Sequence, residues 1–167
     1  YYNKYYKPNT SFEAESIFLY VMKDDSIAFR DSISKYIKSE KTFYKVAEKL
    51  EYLENKKTGR FKIKRGIGNN DIVNSLKFNN TPVNVTFNNQ ERVEDLAGRL
   101  SNQIYEDSIS LLSAFTNQDF LEKNNLNEKN VLSIFIPNSY NIYWNTTSEN
   151  FRDRMLSEYN KFWNKER

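Results

Sequence analysis

Between Phe135 and Trp163 the chain reads FIPNSYNIYWNTTSENFRDRMLSEYNKFW, and within it Asn138, Tyr140 and Trp144 carry groups that suit a sugar. A carboxamide can hydrogen-bond a hydroxyl or acetamido group, and aromatic rings can stack on sugar faces. The apolar run Val131 to Ile136 is expected to be a strand that stops at Pro137. Asn138-Ser139-Tyr140-Asn141-Ile142-Tyr143-Trp144 then makes a polar-aromatic corner. Thr147 or Ser148 is expected to cap a helix with Phe151, Met155, Tyr159, Phe162 and Trp163 on one face. Such a corner can wall a carbohydrate cleft. The competing reading is a buried aromatic corner that merely holds a loop.

The rest of the composition narrows the chemistry. With no cysteine and no histidine there is no disulfide framework, thiolate nucleophile, Ser-His or Cys-His pair, or common zinc site. No metal or organic cofactor is expected. Any reaction must use Asp, Glu, Tyr, Lys, Ser or Thr, and carboxylate-based glycan cleavage is among the classes left open. Glu91, Glu94 and Asp95 sit near a helix start, where acidic residues complement the backbone dipole without any catalytic role. Gly66-Ile67-Gly68 lacks the third glycine and the Lys-Ser/Thr ending of a phosphate loop, and a short helix start accounts for both glycines. Lys62, Lys64 and Arg65 follow strand alternation and read as the wet face of an edge strand. A net charge of +3 over 167 residues does not point to nucleic acid.

The elements that must position these groups follow from hydrophobic period. Residues 1–15 read as a tether. Ser16 to Met22 is apolar on both faces and is expected to be a central strand. Asp24 or Asp25 caps a helix with Ile27, Phe29, Ile33, Tyr36 and Ile37. A second helix from about Lys41 to Glu54 places Phe43, Val46, Ala47, Leu50 and Leu53 on one stripe. Gly59 opens a strand with Phe61 and Ile63 inward. Asn69 or Asn70 caps a short helix bearing Ile72, Val73 and Leu76. Thr81-Pro82 is the expected boundary, and a similar order then recurs. Val83, Val85 and Phe87 alternate as a strand, and Asn88 or Asn89 caps a helix with Val93, Leu96, Ala97, Leu100 and Ile104. Helix continues over Asp107 to Phe120, and the return strand is 131–136. The fold class is α+β: a strand-helix-helix-strand unit over 16–80, then a second small α+β unit over 81–167. The last helix's aromatic stripe predicts an exposed apolar patch or packing against another chain. No apolar run approaches the ~20 residues of a membrane span.

The Phe135–Trp163 block resembles that of the endolytic murein transglycosylases, the MltG or YceG-like family, in its Bacteroidetes-type variant. That block reads as Phe, an apolar residue, Pro-Asn-Thr-Tyr, a spacer, Tyr-Trp-Asn-Thr and a helix ending Phe-Trp. The matching residues are Phe135 to Tyr140, Tyr143 to Thr146, Arg154, Met155, Phe162 and Trp163, with Ser139 for threonine and Asn141 where a glutamate is common. Weaker likenesses lie at Thr58 to Phe61, Gly66 to Leu76 and Thr81 to Phe87. The first unit is similar in size and order to a LysM module, which binds N-acetylglucosamine-containing glycans.

The resemblance implies a lytic transglycosylase that cleaves the MurNAc-GlcNAc β-1,4 bond of nascent peptidoglycan and leaves a 1,6-anhydro end. It implies glycan strands as substrate, cell-wall synthases as further partners, and a place in the cell envelope on the periplasmic side of the inner membrane. Membrane attachment would come only through an anchor outside this chain, which begins at Tyr1 and reads as a processed segment. The family's catalytic glutamate lies on a helix after the Phe-Trp helix, beyond Arg167, so no residue here takes the acid role and the segment alone is expected to be inactive. Asn138, Tyr140 and Trp144 are the expected substrate-binding residues. The alternative is a non-enzymatic, LysM-like peptidoglycan-binding module.

Overall fold

The computed structural model describes residues 2–22 and 26–166 and divides the chain into two compact units, Tyr1–Thr81 and Pro82–Arg167. Helices and small antiparallel sheets make it an α+β protein. In the first unit, β1 (Ser16–Val21) pairs antiparallel with β2 (Gly59–Lys64), with Leu19 opposite Phe61 and Val21 opposite Gly59. Leu19, Val21, Phe61 and Ile63 face the core, and three helices cover them: α2 (Ser26–Ser34), α3 (Glu40–Lys49) and α4 (Asn69–Phe78). The helical stripe supplies Phe29 and Ile33 from α2, Phe43, Val46 and Ala47 from α3, and Ile72, Val73 and Leu76 from α4. Ser39 caps α3 by accepting the Thr42 N–H at 3.3 Å. The expected cap at Asp24 or Asp25 lies outside the described residues.

Two expectations for this unit need correction. First, β1 is not central, because among the described residues its sheet has two strands. Its second apolar face, Phe18 and Tyr20, is about two-fifths exposed. There the Arg60 guanidinium lies 3.9 Å from the Phe18 ring centroid, so a cation rather than a third strand packs on that ring. Second, the start of the chain is not a tether. Residues 2–6 form the short helix α1 (Tyr2–Tyr6), and Pro8 and Thr10 bridge to Gly68 and Ile37. The reason is a buried amide latch. Asn9 donates to Asn69 Oδ1 at 2.7 Å and to the Ser39 carbonyl at 3.0 Å, and accepts the Ser39 N–H at 2.8 Å. Asn69 in turn donates to the Lys4 carbonyl at 2.8 Å and to Thr42 Oγ1 at 3.2 Å. Asn69 is therefore not the cap of α4, which is Gly68; it is a fully buried residue of the first turn.

In the second unit, β3 (Pro82–Phe87) pairs antiparallel with β4 (Asn138–Tyr143), Val85 opposite Tyr140 and Phe87 opposite Asn138. Between them run α5 (Val93–Ser101), α6 (Ser108–Phe115) and α7 (Gln118–Lys123), and α8 (Ser148–Glu166) follows β4. Phe115 sits at the centre, its ring 4.6 Å from that of Phe135 and 6.2 Å from that of Phe151. The single helix expected over 107–120 is two, because Asn117 accepts the Phe120 N–H at 3.0 Å and starts a new one. Asp107 caps α6 by accepting the Ser110 N–H at 2.7 Å, which holds its carboxyl below the usual range. The cap of α5 is Arg92, not Asn88 or Asn89.

The strand expected over 131–136 is a 3-10 helix, Val131–Ile134, and the strand comes after Pro137 instead. Burial at Val131, Ile134 and Phe135, with Ser133 exposed, is helical spacing rather than alternation. An Asx turn at Asn127, accepting from the Lys129 and Asn130 N–H groups, sets the helical approach.

Two outcomes test this packing. Gly66 has φ +84 with open space around it, whereas Gly68 has ordinary φ but an added Cβ would lie 2.6 Å from the Tyr6 carbonyl carbon. Gly68→Ala should cost about 1–3 kcal/mol by overpacking and expose residues 2–9 to protease, while Gly66→Ala should cost about 1–2 kcal/mol through its backbone and leave the latch intact. Urea melts with limited proteolysis check both. Tyr52 is 1 % exposed and its hydroxyl finds no hydrogen-bond partner among the described residues. Burial, with Tyr44 adding to it, raises its phenol well above the ordinary value. The folded state thus holds that proton more tightly, so this contribution to stability is present below the unfolded value of about 10 and is lost as pH rises past it. Tyr52→Phe should stabilise by about 1 kcal/mol at neutral pH and lessen the alkaline loss, read from thermal melts across pH.

Candidate functional site

Pro137, with no N–H to offer a ladder, precedes the strand that carries the polar-aromatic corner. Alternation along β4 then sorts its side chains. Tyr140 and Ile142 turn to the core, and Ser139, Asn141 and Tyr143 turn outward. On β3 the outward positions are Pro82, Asn84 and Thr86, opposite Tyr143, Asn141 and Ser139 in register. The outer surface is thus amide and hydroxyl groups ending in a tyrosine that is 51 % exposed. Gln103 finishes the edge of β3, accepting the Thr86 N–H at 2.9 Å and donating to its carbonyl at 2.8 Å.

Asn138, Tyr140 and Trp144 stand in three different environments. Asn138 is exposed at the end of the ladder; its Oδ1 accepts the Ser139 N–H at 2.8 Å, which turns the amide nitrogen outward. Tyr140 is 7 % exposed and stacks on Phe87 with centroids 5.8 Å apart and planes 21° apart. Its hydroxyl donates to the Ile136 carbonyl at 2.6 Å, spanning the Pro137 bend. Burial first, and then the Glu158 charge, raises its phenol, while Arg154 opposes them. The Tyr140 ring is therefore core, and stacking on a sugar is not open to it. Trp144, past the strand's end, is half-buried and meets Tyr105 edge-on at 5.0 Å, and its carbonyl accepts the Tyr105 N–H at 2.9 Å. A hollow of about 260 Å³ includes Phe87, Asn88, Gln90, Leu132, Ser133 and Phe135 in its lining, and none of the three residues.

Two groups at the corner, Tyr105 and Glu106, escaped the sequence reading, and a third, Tyr143, was named in the corner but not singled out for binding. Tyr105 supplies half of the Trp144 aromatic pair, Tyr143 is the exposed ring of β4, and Glu106 accepts the buried Ser148 hydroxyl at 2.9 Å. Tyr143 was legible once the strand's phase is known; Tyr105 and Glu106, some forty residues distant, carry no local signal. Thr147 accepts the Asn150 N–H at 3.2 Å and so caps α8, as expected. Along α8, Phe151 and Met155 are buried and Phe162 and Trp163 are nearly half-exposed, which fits both expected outcomes, an exposed apolar patch or a face for another chain. Arg152 packs against the unit, donating to the Ala114 carbonyl at 3.0 Å and lying 4.2 Å from the Phe120 ring centroid.

Chemically, the corner offers amide donors, hydroxyls and aromatic faces. Of the carboxylates near the corner, Glu106 accepts the Ser148 hydroxyl at 2.9 Å and Glu149 lies in the first turn of α8. The corner is a surface fit for holding a polar ligand. Among the described residues, no helix is long and apolar enough to cross a membrane. No curated protein and no solved structure matches the chain. A family model, described as the YceG-like family, matches residues 25–167, taking in the chain from α2 onward and the whole polar-aromatic corner. With that match covering most of its length, the chain belongs to the YceG-like family.

Proposed function

We propose that this chain is the glycan-holding portion of a lytic transglycosylase that cleaves the MurNAc-GlcNAc β-1,4 bond of nascent peptidoglycan and leaves 1,6-anhydro ends. The family match carries the reading, since the YceG-like family is known for murein transglycosylase function and is placed at the cell envelope. In such a reaction a carboxylic acid protonates the glycosidic oxygen, and the muramyl 6-hydroxyl attacks the anomeric carbon as it loses its own proton. The proposal assigns that acid to a glutamate outside residues 1–167. Here, the exposed Asn138 offers its amide N–H groups to a hydroxyl or acetamido oxygen, and Trp144, half-buried beside Tyr105, lends aromatic surface to a sugar face. Tyr140 positions both by pinning the Pro137 bend through its hydroxyl.

The second reading is a LysM-like, non-enzymatic peptidoglycan-binding module, supported by the antiparallel strand-helix-helix-strand order of β1, α2, α3 and β2. Under the first reading, Asn138→Ala and Trp144→Ala should each weaken retention of the chain on muramyl oligosaccharides about three- to tenfold, the worth of one hydrogen bond or aromatic contact. The melting temperature should stay put for Asn138→Ala and fall modestly for Trp144→Ala, which also loses the edge-on contact with Tyr105. Tyr140→Phe should do the reverse, lowering stability by about 1 kcal/mol with retention little changed. Retention untouched by either second-unit substitution would transfer binding to the first unit. In the enzyme with its acid in place, the same two alanine variants should slow release of 1,6-anhydro products.

A further inference from the structure

The first unit contains a hollow of about 610 Å³ built where residues 3–9 cross the start of α3. Five lysines line it, Lys4, Lys7, Lys38, Lys41 and Lys45, and no carboxylate does. Among the described residues none of the five takes part in an ion pair. The floor is rigid: Asn9 and Asn69, at 5 % and 1 % exposure, are hydrogen-bonded to Ser39, Thr42 and the Lys4 backbone. The positive end of the α3 dipole adds to the same field. Charge is also unevenly shared along the chain. Residues 1–81 hold sixteen Lys and Arg against ten Asp and Glu, a net +6, whereas residues 82–167 hold nine against twelve, a net −3.

We propose that this hollow is a binding site for an anion carrying two neighbouring phosphates. Its volume is that of a small-ligand site, and its charge density calls for a multivalent occupant. Phosphate suits it better than carboxylate. All five cations are lysines, point charges that can approach a tetrahedral oxyanion from many directions, and there is no arginine fork to match a planar carboxylate. Ser39 in the lining, whose oxygen accepts the Thr42 N–H, keeps its own O–H to donate, while the Thr42 hydroxyl is engaged with Asn69 and the Ser39 carbonyl.

The test is titration of the whole chain with inorganic pyrophosphate, inorganic phosphate and citrate by calorimetry, and with phosphatidylglycerol vesicles by co-sedimentation. Pyrophosphate should bind more tightly than phosphate or citrate, and affinity should fall as salt rises. The double variant Lys41→Gln/Lys45→Gln, both exposed positions, should weaken pyrophosphate about tenfold or more, equal to about 1.4 kcal/mol. Lys62→Gln/Lys64→Gln removes the same charge from the outer face of β2 and should leave binding within about twofold. If vesicles are bound and pyrophosphate displaces them, the phosphates belong to a carrier at a membrane; if vesicles are ignored while pyrophosphate binds, the ligand is soluble. No pyrophosphate binding, equal losses in the two double variants, or vesicle binding that pyrophosphate cannot displace would each overturn the site.

Discussion

A two-stranded sheet cannot bury itself, and that limit shapes both halves of this protein. Each strand pair has one face to give to helices and one face left over. In each unit two or more helices come from between the strands in sequence, and α4 and α8 follow the returning strands, so each unit closes by bringing back a strand after a helical excursion. Alternation along the returning strand then decides what meets solvent. In β2 the leftover side is Arg60, Lys62 and Lys64; in β4 it is Ser139, Asn141 and Tyr143. The same rule yields a cationic surface in one case and a polar-aromatic one in the other.

This rule changes the character of the corner. A tyrosine and a tryptophan close together in sequence suggest two rings on one ligand, but Tyr140 has the core parity and Trp144 lies beyond the ladder. Tyr140 therefore gives up its ring to Phe87 and keeps only its hydroxyl, which it uses to fix the carbonyl of Ile136. What that secures is geometry. The bend at Pro137 is where helical chain turns into strand, and an unpinned bend would let the ladder end at Asn138 fray. Tyr140 is thus a structural residue, whereas Asn138, two positions earlier, stays exposed at the end of the ladder.

Much of this fold could be read from the chain because most signals were local. The Phe43, Val46 and Ala47 stripe of α3, the alternation of β2 and β3, and the Thr147 cap all sit within one window of sequence and survive folding, although α3 ends at Lys49, with Leu50 as its cap, rather than running on to Glu54. The reading failed where the deciding partner was remote. Nothing in Tyr-Asn-Lys-Tyr-Tyr announces that Asn9 will meet Asn69 sixty residues away, so a packed segment read as a tether. Val131 to Ile136 could be strand or helix by composition, and the choice fell to burial against Phe115 and α8. The corner's residues were legible as a group, but their division into inward and outward was not, because it needed the strand's true start.

The latch and the lysine hollow are one construction. Hydrogen bonds from Asn9 and Asn69 hold the chain's first residues against α3, and in doing so bring Lys4 and Lys7 beside Lys38, Lys41 and Lys45. Dispersed on the surface, five lysines would be screened from one another over a distance of about 8–10 Å. Gathered around one concavity, they repel, and no carboxylate in the lining relieves them. A fold seeking stability alone would gain by placing an acid there, as α8 does with Glu158 beside Arg154. The amide latch is therefore working against an electrostatic load that it also creates. Such a load is relieved when an anion arrives, so any occupant of the hollow should tighten the very segment that composition had marked as loose.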